Sequence, residues 1–221
     1  MRITWYGHAA FLIETDHRRI ILDPYRSPDS GGYGPIDEPA DLVIVSHEND
    51  RYHSHLGQII PPFRVLPALE IPREGVDADG LKVEAIPVYE TPEKLPGDEV
   101  TIVHFRAEGM HVAFLGDLGH ALGPEELEPI RGADIVLAAA GGPPTIDYPE
   151  LIPLLEAIGP KVLIPMHYFL PGKINLQIRP VEDFLNALSG WEVERRDAPE
   201  IELTPGSLPA ARKVVVLQPA R

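Results

Sequence analysis

The chain has 221 residues, of which 44% are hydrophobic and 24% charged, a composition typical of a globular protein with a substantial core. Its net charge of −15 opposes the phosphates of nucleic acids and the surface of anionic membranes, so we expect neither partner. No apolar run is long enough to span a membrane and Met1 leads directly into a predicted strand, which favours a cytoplasmic protein.

The chain contains no cysteine, which excludes disulfides and thiolate metal sites. Any metal must therefore bind to His, Asp and Glu. The 25 prolines, the lack of cysteine and the excess of Arg over Lys are typical of a thermophilic source or of GC-rich coding. The sequence leaves a homo-oligomer open.

The beginning of the chain is predicted to be rich in β-strands. Three short strands are predicted over Met1–Trp5, Ala10–Glu14 and Arg19–Leu22. The next segment, Tyr25–Pro39, is rich in Pro, Gly, Ser and Asp, which predicts a long loop. Leu42–Val45 is entirely apolar, which predicts a central strand covered on both faces.

Further strands are predicted before the chain turns to helices. They cover Arg64–Leu66 and Lys82–Pro87, with Glu74–Gly80 as a connector between them. A hairpin is predicted to pair Val100–Phe105 with His111–Leu115.

The rest of the chain alternates strands with helices. Helices are predicted over Pro124–Ile130, from an Asp147 capping box to Ile158, and over Val181–Leu188. Strands are predicted over Ile135–Ala139, Val162–Pro165, Trp191–Arg195, Ile201–Leu203 and Val214–Leu217. No linker or low-complexity tract divides the sequence, so we expect a single α/β domain over residues 1–221.

Polar residues with metal-binding and acid–base chemistry follow the apolar strand Leu42–Val45. Three histidines, a carboxylate pair and an arginine lie within the nine residues 47–55. Open α/β sheets place their chemistry at the carboxyl edges of strands, so this stretch is a candidate site. An ordinary polar loop after a strand is the alternative interpretation.

This stretch resembles a degenerate form of the His-x-His-x-Asp-His motif of the metallo-β-lactamase superfamily. Other landmarks of its lactonase-like branch follow in the same order and cover nearly the whole chain: Met1–Ala9, Phe11–Glu14, Ile21–Pro24, Phe114–Asp117 and Ile164–Tyr168. The resemblance implies a four-layer αββα sandwich, whereas the periodicity by itself supports only an α/β fold with many strands.

The resemblance assigns positions in a two-metal site. His47 matches the first motif histidine, whereas Asn49, Arg51 and Tyr52 stand where the second histidine, the aspartate and the last histidine are expected. Glu90 stands in the place of a histidine from a later strand.

Two further landmarks complete this assignment. Asp117 matches the aspartate that bridges the two metals, and His167 matches the late histidine. The predicted ligands are thus His47, Asn49, Glu90, Asp117 and His167. The second metal keeps too few ligands, so we expect one divalent cation, zinc or alternatively manganese or iron.

Asp50, Arg51 and Asp117 are the candidate catalytic residues. Arg51 carries a permanent charge near the place of the lost second metal. We therefore hypothesise that Arg51 replaces that cation, either pairing with Asp117 or holding an anionic substrate. This hypothesis predicts that Arg51 is partly buried and within ion-pair reach of Asp117. Asp117 or Asp50 would accept the proton during catalysis.

Several other residues have two open interpretations. His8 either lines the site or belongs to a turn, and His53 and His55 are either ligands or surface residues. His120 is in a position to support the site from behind. Asp23 either orients a motif histidine or caps its own loop.

The resemblance implies a metal-dependent hydrolase. Its substrate would be a small molecule, an ester, lactone or phosphoester, and an anionic one would suit Arg51. The alternative is a metal-free member of the same fold that acts as a binding or regulatory protein. Asn49, Arg51 and Tyr52 favour this alternative, since they form hydrogen bonds well and bind metals poorly.

Overall fold

The computed structural model describes residues 1–221 and contains two β-sheets. The first sheet has six strands in the order β13-β1-β2-β3-β4-β5. Their bounds are Arg2–Gly7 (β1), Ala10–Glu14 (β2), Arg19–Leu22 (β3), Leu42–Val45 (β4), Arg64–Pro67 (β5) and Glu200–Glu202 (β13). Strands β1 to β3 form an antiparallel meander, and β3, β4 and β5 are parallel. Consequently β1, β3 and β4 end at the same edge of the sheet.

The second sheet has eight strands in the order β12-β14-β11-β10-β9-β8-β7-β6. In this spatial order, neighbouring strands among β6, β7, β8 and β9 are antiparallel, whereas neighbouring strands among β9, β10, β11, β14 and β12 are parallel. The bounds are Val76–Ala78 (β6), Leu81–Tyr89 (β7), Glu99–Ala107 (β8), Met110–Phe114 (β9), Ile135–Ala139 (β10), Val162–Met166 (β11), Glu192–Arg195 (β12) and Lys213–Val216 (β14). The predicted connector Glu74–Gly80 therefore contains a strand, β6, which pairs with β7 at the edge of the sheet.

Three α-helices follow the predicted pattern. Helix α1 covers Pro124–Leu127 and continues as a 3₁₀ turn, α2 covers Tyr148–Ile158, and α3 covers Val181–Ala187. Further 3₁₀ turns lie at 68–70 and 205–207. The Asp147 side chain accepts a hydrogen bond from the Tyr148 N–H at the start of α2, so Asp147 acts as a helix cap. No helix is long and apolar enough to cross a membrane.

The two sheets and the helices share one large hydrophobic core. This core contains 54 buried residues from both sheets and from α2 and α3. A second cluster of 13 buried residues covers the opposite face of the six-stranded sheet. There the cover comes from loops that include Tyr25, Tyr33 and Ile178, and not from a helix. The expected αββα sandwich is thus confirmed as a mixed α/β fold with two sheets, and loops take the place of helices on one outer face.

Candidate metal centre

The strand ends of both sheets bring six buried ionisable side chains together. His8, Asp23 and His47 follow β1, β3 and β4 of the first sheet, while Asp117 and His167 follow β9 and β11 of the second. His53 comes from the turn after His47. None of the six is more than 7% exposed. Such a concentration of buried polar groups requires partners, because desolvating them is unfavourable.

Asp23 organises one side of this cluster. Its carboxylate accepts hydrogen bonds from the Ser46 N–H at 2.7 Å and from the Ser46 hydroxyl at 2.5 Å. It also lies 2.9 Å from Nδ1 of His53. Of the two open interpretations, the structure therefore favours Asp23 as the residue that orients a histidine.

The same hydroxyl fixes the orientation of His47. Nδ1 of His47 lies 3.0 Å from Oγ of Ser46, whose proton is directed to Asp23. Nδ1 of His47 must then donate to Oγ, which leaves Nε2 with a free lone pair. That Nε2 atom has no hydrogen-bond partner in the protein. Burial lowers the pKa of His47 to about 4, so the ring is neutral at pH 7 and its Nε2 can bind a cation.

His53 connects the two sheets by contacting a carboxylate on each. Its Nδ1 faces Asp23, and its Nε2 lies 3.0 Å from Oδ2 of Asp117. Burial lowers the pKa of His53, but the charges of Asp117 and Asp23 outweigh burial and raise the pKa to about 10. Burial likewise raises the pKa of Asp117, yet the neighbouring His53 and His167 hold it well below its ordinary value. Asp117 is therefore ionised.

The remaining histidines complete the cluster. Nε2 of His167 lies 3.6 Å from Oδ2 of Asp117, and the rings of His167 and His8 are 4.3 Å apart. Burial lowers the pKa of both histidines, so both rings are neutral. Several buried atoms have no hydrogen-bond partner: both ring nitrogens of His8, Nε2 of His47, Oδ1 of Asp117 and Nδ1 of His167. The cluster thus retains free nitrogen and oxygen atoms.

Oδ2 of Asp117 and the Nε2 atoms of His53 and His167 are spaced like the ligands of a divalent cation. Bonds of about 2.0–2.1 Å in a tetrahedral site place neighbouring ligand atoms about 3.3 Å apart. The separations of 3.0 and 3.6 Å that Asp117 makes with His53 and His167 lie on either side of this value. Ligand atoms of Asp23, His47 and His53 also lie within 4.8 Å of one another. Because both Asp23 oxygens already accept hydrogen bonds, Asp23 is better suited to orienting a ligand than to being one.

Two of the predicted ligands, Asn49 and Glu90, are not among the six side chains of the cluster. Asn49 lies in the turn, where its carbonyl oxygen accepts hydrogen bonds from the N–H groups of Tyr52, His53 and Ser54 at 3.0, 2.8 and 3.1 Å. Its side-chain oxygen also faces the Tyr52 N–H, at 3.3 Å. Asn49 therefore shapes the turn. Glu90 is half-buried, and burial followed by the charge of Asp117 raises its pKa.

The structure corrects the hypothesis for Arg51 and the role expected of Asp50. Arg51 is exposed, donates from Nε to the Asp29 carbonyl oxygen at 2.7 Å and packs over the Tyr52 ring, 5.0 Å from its centroid. It forms no ion pair with Asp117, because His53 occupies that place. Asp50 is exposed as well and pairs with Arg26 and His55 outside the cluster.

His53 is the residue whose position the motif alignment missed. The spacing from His47 to His53 is one residue longer than that between the outer histidines of the motif, so position-by-position matching placed Tyr52 there. The bonds that converge on the Asn49 carbonyl accommodate the extra residue within the turn. Tyr52 instead packs beside His8, with ring centroids 5.1 Å apart. His120 lies outside the cluster, where its Nε2 accepts a hydrogen bond from the Tyr89 N–H.

Comparison with known families agrees with this geometry. Residues 2–167 match the model of the β-lactamase superfamily domain. The chain belongs to the β-lactamase superfamily. Within it, the chain belongs to the UPF0173 family, since it is 30% identical over 193 residues to a UPF0173 protein from Pyrococcus abyssi, covering 76% of this chain and 83% of that one.

Two other similar proteins carry functional descriptions. A protein from Opitutus terrae, described as a UPF0173 metal-dependent hydrolase, is 26% identical over 80% of this chain and 88% of its own length. A crystal structure from Thermotoga maritima is described as a candidate Zn-dependent hydrolase of the metallo-β-lactamase superfamily. It is 31% identical, has a TM-score of 0.74 and covers 98% of this chain and 97% of its own.

Proposed function

We propose that this protein is a hydrolase that uses one divalent cation, held by His47, His53, Asp117 and His167. The observation that carries the proposal is the convergence of these four buried side chains, several of whose nitrogen and oxygen atoms have no protein partner. The functional descriptions of the relatives from Opitutus terrae and Thermotoga maritima support the same activity.

The donor set consists of three imidazoles and one carboxylate, which suits zinc and is also compatible with manganese or iron. When bound, such a cation polarises a carbonyl or phosphoryl oxygen and lowers the pKa of water. Small esters, lactones and phosphoesters are the substrate classes that this chemistry serves.

The protein's own residues would position the ligands and move the proton. Asp23 and Ser46 hold His53 and His47 in fixed orientations through bonds of 2.5–3.0 Å. Glu90 is a half-buried carboxyl group without an ion pair, and burial and the charge of Asp117 raise its pKa, so it is a better candidate for the general base than exposed Asp50.

Metal analysis and hydrolysis assays test the proposal together. Protein purified without chelator should contain about one divalent metal per chain and should hydrolyse at least one of p-nitrophenyl acetate, γ-butyrolactone and bis(p-nitrophenyl) phosphate. His47→Ala and His167→Ala should lose the metal and the activity. His17→Ala is the matched control, since His17 is exposed in the turn between β2 and β3.

The alternative outcomes are distinct. Two metals per chain would contradict the single-cation site. Parent protein without metal, with a melting temperature indifferent to chelator and no hydrolysis, would instead support the metal-free binding protein, because a bound cation stabilises the folded state by mass action.

A further inference from the structure

A small cavity of about 170 Å³ opens beside His47. Its lining consists of His47 and six other residues: Val45, Glu48, Pro67, Ala68, Leu69 and Glu70. The cavity therefore lies between the end of β4 and the 3₁₀ turn that follows β5. His47 is 7% exposed and its Nε2 atom has no partner. A buried, unpartnered metal-binding nitrogen thus belongs to a side chain that forms part of the cavity wall.

The charges of this cavity have one sign. Glu48 and Glu70 are exposed carboxylates, neither forms an ion pair, and no Lys or Arg lines the cavity. The other lining residues are apolar apart from His47. A cavity lined by one sign of charge concentrates ligands of the opposite sign.

The arginine of the motif stretch lies outside this cavity. Arg51 packs on the Tyr52 ring, which in turn packs beside His8, and Arg51 does not line the His47 cavity. A substrate that reaches the cluster through this cavity therefore meets carboxylates and apolar side chains. Its volume is below the roughly 300 Å³ of a typical small-molecule site, which favours a short substituent.

We propose that the substrate is a small ester or lactone whose substituent is compact and cationic, and that this substituent binds in the His47 cavity near Glu48 and Glu70. The inference rests on the proposed hydrolase function and adds the charge of the substrate. It replaces the anionic substrate that Arg51 suggested in the sequence.

Three matched esters measure the charge preference of metal-loaded protein. They are the p-nitrophenyl esters of 4-(trimethylammonio)butyrate, of its neutral isostere 5,5-dimethylhexanoate and of 4-sulfobutyrate. Because exposed charges interact weakly, we expect kcat/KM for the cationic ester to exceed that of the neutral one by about fivefold, and to approach it at high salt. The anionic ester should be the poorest substrate.

Substitutions test whether the charge preference comes from the carboxylates of the cavity. The double variant Glu48→Gln/Glu70→Gln should lose the fivefold preference while keeping its metal. Asp183→Asn, a single charge removal on helix α3, is the control and should keep the preference. Equal preference in parent and double variant, or a preference for the sulfonate that Arg51→Ala abolishes, would overturn the inference.

A binding measurement separates this inference from the hydrolase proposal. Tetramethylammonium binding, followed by ligand NMR, requires no turnover. The proposed function fails if metal-loaded protein hydrolyses none of these esters and none of p-nitrophenyl acetate, γ-butyrolactone and bis(p-nitrophenyl) phosphate. Weaker tetramethylammonium binding in the double variant than in the parent would still support a cation-binding cavity. Equal binding, or no binding to either protein, would refute it.

Discussion

Substitution of Asp23 tests whether this residue sets the orientation and protonation of His53. In Asp23→Asn, the amide oxygen must face the Ser46 N–H, which leaves the amide nitrogen facing the Ser46 hydroxyl and Nδ1 of His53. In the parent protein His53 faces a carboxylate from each ring nitrogen, and a cation would displace the Nε2 proton while Nδ1 keeps its own for Asp23. In the variant Nδ1 must accept a hydrogen bond, so the proton of the neutral ring is held on Nε2, opposite Asp117. An Nε2 atom that carries a proton cannot bind a metal.

The two substitutions at Asp23 differ in their expected magnitudes. Asp23→Asn keeps the shape and the hydrogen bonds, so we expect a small loss of stability and a loss of metal affinity of about 10–100-fold. Asp23→Ala leaves three buried donors without an acceptor, and each costs about 1–3 kcal/mol, or at least about 3 kcal/mol in total. For a chain of this size that corresponds to a fall in melting temperature of about 6–12 °C.

Calorimetry and metal titration measure both effects. Asp41→Asn is the control, because Asp41 is exposed and accepts one bond from the Arg19 N–H at the other end of β4. If Asp23→Asn bound metal as tightly as the parent, His53 would not be a ligand that Asp23 orients. If Asp23→Ala melted within one or two degrees of the control, the hydrogen-bond argument would be wrong.

Three further predictions follow from other parts of the structure. Because Arg51 is exposed, Arg51→Ala should change the free energy of unfolding by only about 0.5 kcal/mol and leave the metal content unchanged. A larger loss of stability in urea unfolding would show that Arg51 does take part in the site. Burial lowers the pKa of His111 to about 4. Between about pH 4 and pH 6.5 the unfolded chain therefore binds more protons than the folded protein, so stability falls as the pH drops through this window. His111→Gln should reduce the change in melting temperature between pH 7 and pH 5. In Gly119→Ala the new Cβ atom would lie 1.7 Å from the Glu90 carbonyl oxygen, so urea unfolding should show a loss of about 1–3 kcal/mol. Gly206→Ala should show little loss, because its new Cβ atom would lie 4.0 Å from the Thr204 hydroxyl oxygen, an ordinary contact.

Much of the fold could be predicted because it depends on local patterns. The apolar segment Leu42–Val45 and the capped helix that begins after Asp147 have strong signals and occur where predicted. The edge strand Val76–Ala78 was missed because it has three residues and contains an aspartate, and its pairing with β7 determines its conformation. The loop layer over the first sheet depends on tertiary packing that no periodicity encodes.

The site was harder to predict because its geometry depends on the path of a turn. His47, Asp117 and His167 could be proposed from the resemblance to the family motif, and each follows a strand whose scaffold fixes the position of the next residues. His53 could not be placed by counting, since one added residue moves the histidine along the sequence and the turn at Asn49 returns it to the cluster. An Asn at the start of a turn was the available signal, because its side chain stabilises turns more readily than it binds metals.

The backbone at the cluster departs from a local rule that most of the chain obeys, as the backbone also does at Asp79, Lys94 and Glu108 elsewhere. His8, Asp23 and His167 have φ values of 50, 41 and 48°, in a region that residues other than glycine rarely adopt. Each directly follows the last strand residues of β1, β3 or β11, and hydrogen bonds across the structure hold two of them: the Asp23 N–H donates to Ile44 and the His167 N–H donates to the His8 carbonyl oxygen, both at 3.0 Å. Such conformations persist where the surrounding fold determines them, and they concentrate at functional sites. The left-handed residues let each strand end sharply, so that side chains from two different sheets converge on one point. The strain is thus spread over the scaffold, and the cluster is held in place before any ligand binds.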